Sequence, residues 1–461
     1  MASSTVEPNK GTADTSAEAV DARRAHRKLL AAGLIGSSIE WYDFFLYGTA
    51  AALVFPHVFF PDSSALMGTL LSFSTFWSGF LARPLGGVVA GHFGDRYGRK
   101  PMVVVSVAAM GAATLLIGCL PGASTIGVLA PILLVALRFV QGLACGGQWG
   151  GIALLLTESA DPKKRGFAGT FGQMGVPFGV ILGNVSFLIA TAVMSNESFL
   201  SWGWRIPFFC SALLFPVVLY IQTRVEDTPE FRQLKQATAG AAPKVVAAPL
   251  SDAVRNHWRT ILLGSGLLGA TNCLFYISIA GVLSYATAEL GMNRSSLLMM
   301  SLLSSLVTAP VILWAGAMSD RIGRKPMIFV GAGALVLWAF PYFWLVNTAS
   351  FALFFIAVTV GGIFQSMTYG PLASYLGELF DPRIRYSGAS LAYQLAAITI
   401  SGGTPLIMTA IIAQTEATTF VSVYVALMSL LTVGCAWGLR ETNPASVRAD
   451  PHAVPGLRTS S

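Results

Sequence analysis

The sequence predicts an all-α integral membrane protein, with twelve transmembrane helices in two pseudo-symmetric six-helix halves. Three observations predict it. The 461 residues are 54% hydrophobic and only 11% charged, where a soluble domain carries about 25% charged residues, and the mean hydropathy is +0.65. Twelve segments approach the roughly 20 apolar residues that a helix needs to cross a bilayer. Motifs of the first half recur in the second half at matching places.

The segments are residues 29–54, 66–91, 101–120, 126–156, 167–193, 204–223, 260–285, 296–318, 326–347, 350–376, 386–412 and 418–439. Residues 1–28, rich in Ser, Thr, Ala and charge, read as a disordered cytoplasmic tail without a cleavable signal peptide. The N-terminal half is then 29–223 and the C-terminal half 260–440. Between them, 224–259 carries Glu226, Asp227, Pro229, Glu230 and Arg232 and reads as a cytoplasmic linker, partly helical at its start. Residues 441–461, with Pro444, Pro451 and Pro455, read as a disordered cytoplasmic tail.

Orientation follows from lysine and arginine. They fall in the N-terminal tail (Arg23, Arg24, Arg27, Lys28) and in every even-numbered connection: Arg96, Arg99 and Lys100; Lys163, Lys164 and Arg165; the linker; Arg321, Arg324 and Lys325; Arg383 and Arg385. Only Arg205 and Arg294 break the pattern, so both termini are expected in the cytoplasm. The net charge of +7 is thereby absorbed by loops, and no nucleic-acid partner is expected. Trp202, Trp204 and Trp258 read as interfacial belt aromatics, and His57 and His92 as surface residues. The five cysteines sit in apolar stretches without a C-x-x-C pair and read as small core side chains.

The repeat is direct. Asp95-Arg96-Tyr97-Gly98-Arg99-Lys100-Pro101-Met102 returns as Asp320-Arg321-Ile322-Gly323-Arg324-Lys325-Pro326-Met327, after the second helix of each half. Glu158-x-x-Asp161-Pro162-x-x-Arg165 returns as Glu378-x-x-Asp381-Pro382-x-x-Arg385, after the fourth. Two halves related by an axis along the membrane normal are the architecture of one transporter class.

These motifs resemble the major facilitator superfamily. Gly91-x-x-x-Asp95-Arg96-x-Gly98-Arg99-Lys100 matches its loop motif between helices two and three, and Arg138-x-x-x-Gly142-x-x-x-Gly146 its fourth-helix motif. Ile39-Glu40-Trp41-Tyr42-Asp43-Phe44-Phe45-Leu46-Tyr47-Gly48, Arg83-Pro84-Leu85-Gly86-Gly87 and Trp202-Gly203-Trp204-Arg205-Ile206-Pro207-Phe208 resemble its metabolite:proton symporter branch. Members of that branch carry shikimate, oxoglutarate, citrate, or proline and betaine, and Met67 to Glu158 looks most like the shikimate permeases. The resemblance implies the MFS fold and proton-coupled symport of a small organic acid into the cell, by a monomer, across the inner or plasma membrane. The alternatives are an osmolyte (proline or betaine) symporter and a transporter-fold nutrient sensor. Relatives commonly carry Glu where this chain has Gln148, and Gly175-Val176-Pro177-Phe178-Gly179 lacks the Gly-Pro pair of antiporters.

Buried charge marks the candidate site, because an ionised side chain in hydrocarbon costs at least about 2.5–3.5 kcal/mol. Glu40 and Asp43 lie 11 and 14 residues past Leu29, roughly 16–21 Å along the first helix. Arg83 in helix two and Arg138 in helix four lie at similar depth, roughly 18 Å from their nearest helix ends. As a functional set, Arg138 would hold a substrate carboxylate in its planar fork, with Arg83 beside it, and Asp43 or Glu40 would take the coupling proton. As a structural set, the same four would form an ion-pair network tying helices one, two and four. The C-terminal half offers only neutral polar groups at this depth: Asn272, Tyr276, Gln365, Tyr369, Tyr393 and Gln394. They suit hydroxyls of a polar substrate or ordinary packing. In the resembling family, residues like Asp95, Arg96, Arg99, Glu158, Asp320, Arg321, Arg324 and Glu378 form a salt-bridge latch on the cytoplasmic side. No Walker motif, nucleophile elbow or metal-ligand cluster is present. The expectation is therefore no enzyme and no cofactor, with the proton as coupling ion and a small molecule and the lipid bilayer as partners.

Overall fold

In hydrocarbon a backbone has no water to bond, so a chain this apolar must satisfy its amides within helices. The computed structural model describes residues 11–97, 99–146, 149–158, 160–211, 249–381 and 384–443, and every regular element among them is helical. Helix one spans Gly11–Leu53, helix two Ala65–Tyr97 and helix three Arg99–Cys119. Helix four comprises Leu129–Cys145 and Trp149–Glu158, and helix five Arg165–Gln173 and Gly175–Val193. Helix six is described as far as residue 211; residues 212–248, which take in the rest of that segment and most of the linker, lie outside the described residues. Helix seven comprises Pro249–Gly266, Gly269–Tyr276, a π turn over Ile277–Gly281, and Val282–Ala288. Helices eight, nine and ten are Arg294–Ile322, Arg324–Val346 and Phe351–Glu378. Helix eleven runs through Arg385–Ala396, a second π turn at Ala397–Ser401, and Thr404–Thr415; helix twelve is Thr419–Gly438.

Three boundaries differ from expectation. Helix one already begins at Gly11, inside the stretch read as a disordered tail. Residues 11–28 are rich in Ala and Arg, strong helix formers that extend a helix already nucleated in the membrane. Helix seven begins at Pro249, inside the stretch read as linker, with a break at His257 (φ −125°, ψ 18°). Residues 441–443, inside the stretch read as a disordered tail, dock against the junction of helices eight and nine.

Among the described residues, eight helical segments are long and apolar enough to cross a bilayer, and Val105–Cys119 and Leu129–Cys145 are shorter apolar helices. Large apolar side chains lie on the outside, such as Leu337 at 78% and Trp437 at 79% exposure; only a lipid surround makes that stable. Trp202 and Trp258 are exposed, in keeping with a belt, but Trp204 is buried against Phe55, Phe59 and Phe208. It stands in a short 3-10 turn, Gly203–Arg205, that turns it into the protein. His57 is exposed as expected, while the side chain of His92 lies outside the described residues. Cys145, Cys273 and Cys435 are buried; Cys119 is exposed.

Small residues set where helices cross. A Cβ on Gly142 would stand 2.0 Å from the carbonyl oxygen of Gly79, and one on Gly146 only 1.9 Å from that of Arg83. Helices two and four therefore touch backbone to backbone, as small-x-x-x-small patterns permit. The glycines of the fourth-helix motif are what bring Arg83 and Arg138 together. Gly166 and Gly316 do the same between helices five and eight, across the two halves: a Cβ on Gly166 would lie 2.6 Å from the Gly316 carbonyl oxygen.

Candidate transport site and gate

Helices one, two, three and four bring a charged cluster into the middle of the N-terminal half. Asp43, Arg83 and Arg138 are 3–5% exposed and Glu40 is half-buried. No ion pair within 4.0 Å joins either arginine to either acid among the described residues. The connection is indirect. Arg138 Nη1 donates to Gln141 Oε1 (3.1 Å), Gln141 Nε2 donates to Thr114 Oγ1 (2.6 Å), and Thr114 Oγ1 donates to Asp43 Oδ2 (3.1 Å). Arg138 Nε and Nη2 and Asp43 Oδ1 have no hydrogen-bond partner. The guanidinium of Arg138 lies 4.2 Å from the ring centre of Tyr47, 4.9 Å from that of Phe44 and 5.1 Å from that of Phe76. Cation–π contacts of this kind partly replace its lost hydration. Arg83 lies over the rings of Phe44 and Phe80 and within electrostatic reach of Tyr393. Glu40 Oε1 accepts from the thiol of Cys145 at 3.1 Å.

The C-terminal half closes over this cluster with neutral groups. Tyr276 packs edge-on against Phe80 and Phe44. Tyr276, Tyr369 and Tyr393 are within electrostatic reach of one another, and Tyr393 of Arg83 and Glu40. The hydroxyl of Tyr369 is buried without a partner. Gln394 Nε2 donates across the halves to the Gly146 carbonyl (3.0 Å), leaving its Oε1 unpartnered. Asn272 is turned to its own half, donating to Ser401 Oγ at 2.7 Å. Gln365 is half-buried one turn before Tyr369. Both π turns border the site, and helix two reaches one of them through Trp77 Nε1, which donates to the Ile398 carbonyl at 3.0 Å. The gap between the halves is nearly filled: a void lined by Phe45, Thr49, Asn184, Ser278, Leu297 and Phe354 holds about 10 Å³, room for one water.

At one end the halves are locked by charge. Arg324 is fully buried and donates to Asp320 (2.7 Å), Glu378 (3.2 Å) and Ser319 (2.6 Å). Asp320 in turn accepts from the backbone amides of Gly166 (2.8 Å) and Phe167 (2.9 Å), the free amides at the start of helix five in the other half. Glu158 pairs with Arg385 across the halves at 3.1 Å. Arg321 is exposed and forms no ion pair among the described residues, because one residue past Asp320 it faces about 100° away. The side chains of Asp95, Arg96 and Arg99, and Gln148 altogether, lie outside the described residues. Residues 441–443, expected to be disordered, are docked here. Glu441 accepts from the amides of Arg324 (3.0 Å) and Lys325 (2.9 Å), capping helix nine, and Asn443 Nδ2 donates to the carbonyls of Ser319 and Asp320. At the opposite end Arg294 reaches from helix eight to the carbonyl of Leu53 (3.3 Å) and to Asn196 (3.4 Å), and Asn184 donates to the Leu298 carbonyl (3.4 Å). Both ends are thus bridged.

Sequence reasoning missed Gln141, Thr114, Arg385 and Arg294. Gln141 had a signal, standing three residues after Arg138 on the same helix face. Arg294 had one too, as an exception to the charge rule. Thr114 had none.

Two six-helix halves around an enclosed polar site, tied by charge at one end, define a membrane transporter. The chain belongs to the Major Facilitator Superfamily, whose family model matches residues 33–404 and, separately, 265–457. It is 40% identical over 379 residues to the inner membrane metabolite transport protein YhjE of Escherichia coli strain K12, covering 81% of this chain and 85% of that protein. It is also 40% identical over 409 residues to the shikimate transporter of the same strain, covering 88% and 90%. Its backbone superposes on a crystal structure of a D-xylose-proton symporter with a TM-score of 0.70 at 17% identity, over 90% of this chain and 98% of that one, a likeness of fold alone. The expected resemblance to shikimate carriers therefore holds, and the chain is a multi-pass membrane transporter of a non-enzymatic family.

Proposed function

We propose that this transporter couples inward movement of a small organic carboxylate to a proton. One observation carries the reading: Arg138 is buried at the centre with two nitrogens unpartnered and no acid paired to it. An unneutralised guanidinium in this setting is costly, and an incoming carboxylate offsets the cost by filling its planar fork. Asp43 takes the coupling proton and Glu40 is the second acid. Two acids and two arginines balance, so one proton carried with one monoanion leaves the loaded site neutral. Arg83, set beside Tyr393 and over two rings, steadies the site. Tyr276, Tyr369, Gln394 and Gln365 meet the substrate's polar groups, while Asn272 holds Ser401. Phe44, Phe80 and Tyr47 already cover the two guanidiniums, so the rings for a quaternary ammonium such as that of betaine, the alternative substrate, would be Tyr276, Tyr369 and Tyr393. The relative that is a shikimate transporter supports the carboxylate reading. We place both termini and the Arg324 cluster on the cytoplasmic side, with Asp320, Arg324, Glu378, Glu158 and Arg385, and by repeat symmetry Asp95 and Arg99, as the gate.

The test is isothermal binding of shikimate, oxoglutarate and betaine to the purified protein. Arg138→Ala should abolish carboxylate binding, and Arg138→Lys, which keeps charge but loses the fork, should weaken it about tenfold. Unchanged affinity in folded Arg138→Ala would overturn the assignment. Tight binding of betaine alone would replace the carboxylate reading, and uptake driven by sodium at fixed pH would replace the proton.

A further inference from the structure

The bridge between Arg138 and Asp43 has a direction that chemistry fixes. Arg138 has only donors, so Gln141 must turn its oxygen to the guanidinium and hence its NH₂ to Thr114. That makes Thr114 Oγ1 an acceptor at 2.6 Å, and leaves its single proton to choose between two acceptors. These are Asp43 Oδ2 at 3.1 Å and the Met110 carbonyl one helical turn back at 3.0 Å. With Asp43 ionised, every donor in the chain points from the cation to the anion. With Asp43 protonated, its own hydroxyl donates to Thr114, and the threonine proton turns to Met110.

We infer that Thr114 and Gln141 are the positioning residues that carry the protonation state of Asp43 to Arg138. The inference rests on the proton-coupled reading above. While Asp43 is anionic, the aligned chain acts as an extended ion pair, which partly neutralises Arg138 across two neutral side chains. Once Asp43 takes a proton, the chain loses its negative end, and the free Nε and Nη2 of Arg138 face a carboxylate with nothing competing. Proton binding and anion binding then favour one another, as symport requires. Other groups bear on Asp43. Glu40 lies on its own helix and Arg138 on helix four, while helices three and six present the hydroxyls of Thr114 and Ser211. Tyr42, adjacent on helix one, is turned away to the carbonyl of Pro207 at 2.6 Å. Arg83 on helix two faces Glu40. The bridge through Thr114 is therefore the bonded route between Asp43 and a cation among the described residues.

The experiment needs no ligand. Infrared difference spectroscopy on the full chain in lipid nanodiscs, with the carboxyl band assigned by loss in Asp43→Asn, gives the pH midpoint at which Asp43 protonates. Thr114→Val, which keeps shape and removes the hydroxyl, should move that midpoint up by about one pH unit, a tenfold change in proton affinity. Gln141→Leu should move it the same way, and the two together little further than either alone, while Thr114→Ser should leave it near the wild-type value. Arg138→Met should shift the midpoint in the wild-type background and much less in Thr114→Val. Equal shifts by Arg138→Met in both backgrounds would mean that coupling runs through space and would overturn the bridge. Additive effects of Thr114→Val and Gln141→Leu, or no effect of either, would overturn it as well. If Arg138→Ala leaves carboxylate binding intact, the functional reading fails while these midpoints still decide the bridge.

Discussion

The two halves exchange roles between the middle of the molecule and its gated end. In the middle, the N-terminal half supplies every charge (Glu40, Asp43, Arg83, Arg138), and the C-terminal half supplies neutral tyrosines and amides. At the Arg324 end, among the described residues, the C-terminal half supplies most of the charge (Asp320, Arg324, Glu378, Arg385), and the N-terminal half answers with the backbone amides of Gly166 and Phe167 and with Glu158. Among the described residues, each interface thus sets a mainly charged face against a mainly neutral polar one. This has a physical use in a carrier. Two oppositely charged faces that must part would have to separate buried ion pairs, whereas amides and hydroxyls are resolvated at far lower cost. The one described ion pair that does cross the halves, Glu158–Arg385, is accordingly the exposed one, at 39% and 19%.

Three substitutions break or sharpen this contrast. The largest effect is expected at the central crossing. Gly146→Val places a Cβ 1.9 Å from the Arg83 carbonyl oxygen, so helices two and four part and both arginines lose their places. The cost should exceed about 4 kcal/mol, read as loss of monodisperse protein in detergent. A folded Gly146→Val with wild-type binding would show that the crossing does not set the site. Next comes Arg324→Met, which leaves Asp320 and Glu378, only 8% and 11% exposed, without their cation and should cost about 3 kcal/mol, seen as a lowered Tm. Adding Asp320→Asn should recover part of it, although the amide accepts less well from helix five. The smallest effect is Arg385→Ala: a partly exposed pair is worth about 1 kcal/mol or less, so Tm should barely move. A drop comparable to that of Arg324→Met would mean that the crossing pair, and not the cluster within one half, holds this end of the halves together.

Much of this was legible beforehand, and the parts that were not share a cause. Composition and hydrophobic segments gave the helices, and the repeated octapeptide gave the halves. The depth of Glu40, Asp43, Arg83 and Arg138 followed from counting at about 1.5 Å per residue. Depth is a coordinate along one helix, and a linear sequence records it. Which side chain meets which depends instead on the rotation and crossing of neighbouring helices. Those are set by contacts such as Gly142 on Gly79 and Gly166 on Gly316, between residues 63 and 150 positions apart. So the sequence by itself determined the fold and the class of protein, and showed how far along each helix the charged residues stand. Only the tertiary structure decided that Arg138 reaches Asp43 through Gln141 and Thr114, that Asn272 serves its own half, that Arg321 stands outside the charge cluster that Arg324 centres, and that residues 441–443 cap helix nine. Partners within hydrogen-bonding reach are fixed to a fraction of an ångström by packing, and no periodicity in a single chain carries that information.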